Sequence, residues 1–223
     1  MRTPWFLLLL LLTALQMLRM NHFIATVRAQ YAYLLASDRD AAAINSFFDA
    51  ALPVSGVAAT PLVAAVLNSF SVAAVLAILT ACIAVNGLLN CLPFLWAGFA
   101  TVLEFVTLRP FYYSAVSHTA TQMFGFETFG LIYGTIICAA GLVNAFQSAL
   151  DSLMYGPLGG NPTPINMALA GAGTVVGAFF AAFVAIKSRR WRESSQQGSL
   201  SERLSLIQDD DREYGTSIIQ RIQ

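Results

Sequence analysis

The sequence has 223 residues, 57% of them hydrophobic and 11% charged, with a formal net charge of zero and a mean hydropathy of +0.65. Of its 24 Lys, Arg, Asp and Glu residues, 13 follow Ala185, and a body so poor in charge would not stay in solution as a globular domain. The composition therefore excludes a soluble protein, and the lack of any basic face excludes nucleic acid as a partner.

Crossing the hydrocarbon core takes about 20 apolar residues in a helix, and six segments qualify. The first runs from Trp5 to Tyr31. Its start, Arg2 followed by "WFLLLLLLTAL", resembles a signal peptide, but the apolar character continues through "FIATV" and no small-x-small cleavage site closes the leucine run. A retained helix is expected. The second, Ile44 to Val66, follows the polar connector "LASDRDAAAIN" (34–45), where Asn45 or Ser46 can cap it, and Pro53 with Gly56 can break it. The third, Val72 to Leu92, follows the turn "LNSFS" (67–71), and the fourth, Pro93 to Ser117, starts at a proline that must end or kink a helix. The fifth runs from Phe129 to Leu153, and the loop "YGPLGGNPTP" (155–164) leads to the sixth, Ile165 to Ile186, with Pro162 or Pro164 suited to its first turn.

The basic run "IKSRRWR" (186–192) places the C-terminus in the cytosol, and with six spans the N-terminus joins it. Residues 1–190 thus form a six-helix transmembrane domain facing membrane lipids, and 191–223, rich in Ser, Gln and charge, a disordered cytosolic tail. Within that tail "ERLSLI" (202–207) fits an acidic dileucine pattern, which directs the chain to vacuolar or endosomal membranes, the plasma membrane being the other candidate. The three cysteines, Cys82, Cys91 and Cys138, sit in apolar runs without metal-ligand spacing. With no HExxH, GxSxG, Walker or Rossmann signature, the chain reads as neither an enzyme nor a metal or cofactor protein.

Polar residues inside the spans carry the functional argument. At 100° per residue, Gln16, Arg19, Thr26 and Gln30 share a narrow sector of the first helix, with His22 at its edge. A charge at mid-bilayer costs about 2.5–3.5 kcal/mol on the insertion scale, so such a face meets protein or water, not lipid. The fifth span repeats the pattern with Tyr133, Asn144, Gln147 and Asp151, the fourth adds Glu104, and the second carries Asp49. One reading pairs these groups internally, Arg19 with Glu104 for example. The other, favoured by several polar faces together, is a water-filled cavity or substrate path. The candidate substrate-binding residues are Gln16, Arg19, His22, Thr26, Asp49, Glu104, Asn144 and Gln147. Asn86 and Asn90 read as structural hydrogen bonders, Arg28 as snorkelling to headgroups, and Gly173 with Gly177 as a close-packing GxxxG pair.

Three stretches, "MLRMNHFIATVRAQ" (17–30), "FFDAALPVSGV" (47–57) and "RPFYYSAVSHTATQMFGFETFGLIYG" (109–134), resemble the seventh, eighth and tenth-to-eleventh helix regions of major facilitator superfamily transporters. The closest likeness is to the large-neutral-amino-acid facilitators and their fungal relatives. The resemblance covers roughly residues 5–190 and implies an all-α polytopic membrane protein that is the C-terminal six-helix half of such a bundle. It further implies alternating-access transport of small neutral solutes such as amino acids, without a cofactor, together with a missing N-terminal half or a homodimer partner. Arg19 would offer its cation to a substrate carboxylate, and "YYSAVSHTATQMFG" would end the fourth span and form a cytosolic loop. A non-transporting membrane scaffold derived from a half-transporter is the alternative.

Overall fold

The computed structural model describes residues 3–190. The chain divides into two units, Met1–Ala181 and Ala182–Gln223. The first holds the helical bundle, and the second is represented among the described residues by the C-terminal end of the last helix. The expected tail from residue 191 onward, with its dileucine pattern, lies outside the described residues.

The bundle is all-helical. Its elements are α1 Thr3–Leu35, α2 Asp38–Ser69, α3 Val72–Leu89, α4 Leu95–Phe124, α5 Phe126–Val143, a 3₁₀ turn Asn144–Phe146, and α6 Gln147–Tyr155, followed by α7 Thr163–Arg190. Among the described residues five helices are long and apolar enough to cross a membrane: α1, α2, α3, α5 with α6 counted as one, and α7. The other long helix, α4, has 30 residues, but Glu104, Arg109, Pro110 and three hydroxyl-bearing residues from Tyr112 to Ser114 dilute its apolar character. It is sheltered instead, because it packs against α1, α2, α3 and α5. The chain is thus a polytopic helical membrane protein.

Local chemistry sets the boundaries, in several places differently from the sequence reading. Helix α2 begins at Asp38, two turns before the expected cap at Asn45 or Ser46, because Ser37 caps it by accepting the Asp40 N–H at 3.3 Å. The polar connector is therefore mostly helix. Pro53 and Pro61 lie inside α2 without breaking it. Ser71 caps α3 through the Ala74 N–H at 3.4 Å. Helix α4 continues through His118 to Phe124, so the stretch expected to form a cytosolic loop is two further turns of helix. It stops at Gly125, whose φ of +85° a residue with a side chain would rarely adopt. Pro164 occupies the first turn of α7, as its missing N–H permits.

The fifth span stands as one helical stretch, Phe126–Tyr155, within which a 3₁₀ turn separates α5 from α6. Both the 3₁₀ turn and α6 pack against α1. A short 3₁₀ stretch between helices shifts the register of every side chain beyond it.

The core centres on α1 and α4. Phe23, Phe48 and Phe105 from α1, α2 and α4 form a ring cluster with centroids 4.7–6.0 Å apart, and Tyr112 of α4 donates to the Thr13 carbonyl of α1 at 3.0 Å. Since lipid tails are as apolar as the core, tight packing and interhelical hydrogen bonds hold such a bundle together more than burial does. The glycines of α3 and α7 make that packing possible. A Cβ at Gly87 would collide with Cβ of Ala170, and one at Gly177 would stand 2.5 Å from Oγ1 of Thr80.

Candidate functional site

The polar sector of α1 is almost wholly enclosed: Gln16, Arg19, His22, Thr26 and Gln30 are between 0% and 7% exposed. It faces three different neighbours. Arg19 turns to α3, donating to the Ile83 carbonyl at 3.1 Å and to Oδ1 of Asn86. The amide nitrogen of Asn86 in turn donates to Oε2 of Glu104 on α4. Arg19 and Glu104 are thereby joined through a shared asparagine, and the buried cation and anion answer one another across it. Asn86, expected as a structural hydrogen bonder, is the hinge pin of this group.

A second knot lies farther along α1. Gln30 donates to Oγ1 of Thr26 at 2.7 Å, while its own oxygen accepts from Asn166 of α7 at 2.8 Å and from Asn90 at 3.3 Å. Tyr31 completes it by donating to Oδ1 of Asn90 at 3.3 Å. Here every polar group of Gln30 is matched, which is how a buried network rigidifies a fold.

The remaining members of the sector are not matched. Gln16 sits against α7, where a Cβ at Gly173 would lie 3.2 Å from its Oε1, and neither amide atom has a hydrogen-bond partner among the described residues. His22 faces α6, with Nδ1 3.1 Å from Oδ1 of Asp151, and its Nε2 is buried without a partner. Asn144, first residue of the 3₁₀ turn, donates to the Ala140 carbonyl at 3.3 Å and leaves its own oxygen buried and unpartnered. Native structures leave few such groups, and each is accounted for by strain, a functional role or a bound water or ion.

The structure thus brings Arg19 and Glu104 together through Asn86, and places His22 opposite Asp151, with Asn144 two turns before Asp151 at the 3₁₀ turn. Gln147 is half-buried at the start of α6. Asp49 is not brought to either group. It is exposed on α2 and accepts from Asn45 one turn earlier at 2.9 Å. Replacing Asp49 with Asn should therefore change thermal stability in detergent by less than about 0.5 kcal/mol. Asp151, read as part of the polar face of the fifth span, and Asn166, which the sequence did not single out, complete these groups.

A cavity of about 390 Å³, which shares Glu104 with the first group, opens between α2, α3 and α4, lined by Leu62, Val66, Ile78, Leu103 and Phe111 among others. Its walls are apolar apart from Glu104, Thr107 and Cys82, so it suits no polar solute.

Comparison with known proteins gives one informative likeness. The chain is similar to Protein FMP42 of Saccharomyces cerevisiae, 39% identical over 170 residues that cover 75% of this chain and 34% of that protein. It therefore spans about a third of the length of the curated relative it matches. No family model matches the sequence, and no solved structure matches it.

Proposed function

We propose that the chain is one helical half of a membrane carrier that moves small polar solutes, of the neutral amino-acid class, by alternating access. The observation that carries this reading is the 3₁₀ turn between α5 and α6, packed on the polar sector of α1, with Asn144 Oδ1 and His22 Nε2 buried and unpartnered among the described residues. A 3₁₀ turn inside a long helix often marks a hinge, and carriers of this kind hold solute where a spanning helix departs from regular geometry. In this reading His22, Asn144 and Gln147 face the solute, and Arg19 with Glu104 fixes α1, α3 and α4. The second half of the carrier is an N-terminal bundle or a second copy of the chain, both termini are cytosolic, and the vacuolar or endosomal membrane is the site of action.

Uptake by proteoliposomes tests it. Vesicles containing the protein should accumulate radiolabelled leucine or a similar neutral amino acid above empty vesicles. Asn144→Ala should lower uptake at least about tenfold, a loss of about 1.4 kcal/mol of solute or transition-state stabilisation, while leaving the thermal midpoint within a few degrees. If no solute in a broad panel enters faster than it does into empty vesicles, the carrier reading is wrong. A non-transporting scaffold is then the better account, and one observation favours it: Arg19 is held by the protein itself, through Ile83 and Asn86.

A further inference from the structure

We infer that His22 and Asp151 form a proton-binding site, and that solute movement through the chain is coupled to that proton. The coupling rests on the carrier reading, whereas the proton site itself does not.

His22 is 1% exposed, yet Asp151, its partner 3.1 Å away, is 34% exposed. The pair therefore joins a buried base to a carboxylate in contact with the surroundings of the bundle. With Nδ1–H donating to the carboxylate, the imidazole has one open position, the lone pair of Nε2, and no described residue donates to it. A proton taken up at Nε2 turns neutral histidine and aspartate, net charge −1, into an imidazolium–carboxylate pair of net charge zero. When the proton leaves, the bonds and charges return to the starting state, so the cycle needs no other reactant.

The surrounding charges leave this pair on its own. Helix α3 has no Asp, Glu, Lys, Arg or His, and α7 has none before Lys187. On α4, Glu104 is turned to Asn86, and Tyr112 is bonded to Thr13. Arg19, one turn before His22, is held by Ile83 and Asn86. The charged residues of α2 are Asp38, Arg39 and Asp40 at its start and the exposed Asp49. Tyr133 on α5 stacks on Phe129 of its own helix, and Glu127 stands in the first turn of α5. Asp151 is thus the ionisable group that answers a charge on His22.

Position supplies the link to movement. Asp151 lies on α6, beyond the 3₁₀ turn, so the charge on the pair governs how firmly α6 is held to α1. A segment joined to the rest of its span by a 3₁₀ turn has a ready pivot. Conformational change at that pivot and proton occupancy at Nε2 then bias each other, which is the thermodynamic content of coupling.

The chain has only two histidines, which makes the test direct. The full-length protein is labelled with ¹⁵N-histidine in lipid nanodiscs, and His118→Gln assigns the His22 ring. The His22 signals should pass from imidazolium to neutral imidazole as pH is raised across the range in which the protein stays folded, and Asp151→Asn should move that midpoint by at least about one pH unit, a tenfold change in proton affinity. In proteoliposomes an imposed pH gradient should then change the rate of leucine uptake at least about threefold, and this response should be absent in His22→Gln. A His22 ring fixed in one state over the whole range, or a midpoint indifferent to Asp151→Asn, overturns the proton site. Normal titration with uptake that ignores the gradient overturns the coupling and leaves the carrier reading standing. Normal titration with no uptake of any solute overturns carrier and coupling together, and the proton site alone survives.

Discussion

Arg19→Met should unfold or strongly destabilise the bundle, by about 3–5 kcal/mol, because it leaves the half-buried Glu104 without the cation that answers it through Asn86. The guanidinium is 7% exposed and is consumed by Ile83 and Asn86. Without it Glu104 keeps the Asn86 amide but loses its countercharge, and its second oxygen already has no partner among the described residues. Thermal unfolding in detergent, followed by tryptophan fluorescence, would show a large fall in the transition. The double variant Arg19→Met with Glu104→Leu should recover much of that loss, because apolar replacement of both charges removes the unanswered one. If Arg19→Met instead folds as well as the native protein and fails only in uptake, Arg19 acts on solute and the network is incidental. The contacts of Arg19 favour the reading that pairs it internally over the one the resemblance implied, in which Arg19 offers its cation to a substrate carboxylate.

The second large effect should come from a single methyl group. Gly87→Ala places a Cβ where Cβ of Ala170 already stands. Neither is the tip of a flexible chain, so α3 and α7 must separate. Overpacking of this kind costs about 1–3 kcal/mol, and at this site it should also disturb Arg19, since its Nη2 lies 3.8 Å from the same point. Ala170→Gly in the same chain should restore the space and most of the stability. Equal thermal midpoints for the native protein and Gly87→Ala would mean that the two helices do not meet there.

Much of the architecture was legible in the sequence because hydropathy and length fix spanning helices with little help from tertiary context. Pro164 did what a first-turn proline does. The misplaced boundaries share one cause: a helix that leaves the apolar layer continues for as long as its backbone groups are best satisfied by itself. Asp38 to Ile44 on α2 and His118 to Phe124 on α4 are polar extensions of that kind, which an apolar count cannot register. The turn at Asn144–Phe146 carries neither Gly nor Pro, the residues that normally announce a break. The polar sector of α1 was also legible as a set, and Asn86 and Asn90 were read as structural. Which neighbour each member would meet was not, because that depends on the rotation of α1 against α3, α6 and α7. Arg19 and Gln30 found partners on helices more than 50 residues away in sequence, and His22 found one beyond a register shift.

Helix α4 also bears on how the protein is made. It is the long helix that falls short in hydropathy, and its Glu104 and Arg109 would each resist entering lipid alone. Its shelter comes chiefly from α2 and α3, both of which leave the ribosome before it. An insertion machine that released each span into lipid as it emerged would strand α4. The order of synthesis offers a better route, with α1, α2 and α3 already assembled at the lateral exit as a half-finished cradle into which α4 is delivered sideways, its carboxylate meeting Asn86 instead of acyl chains.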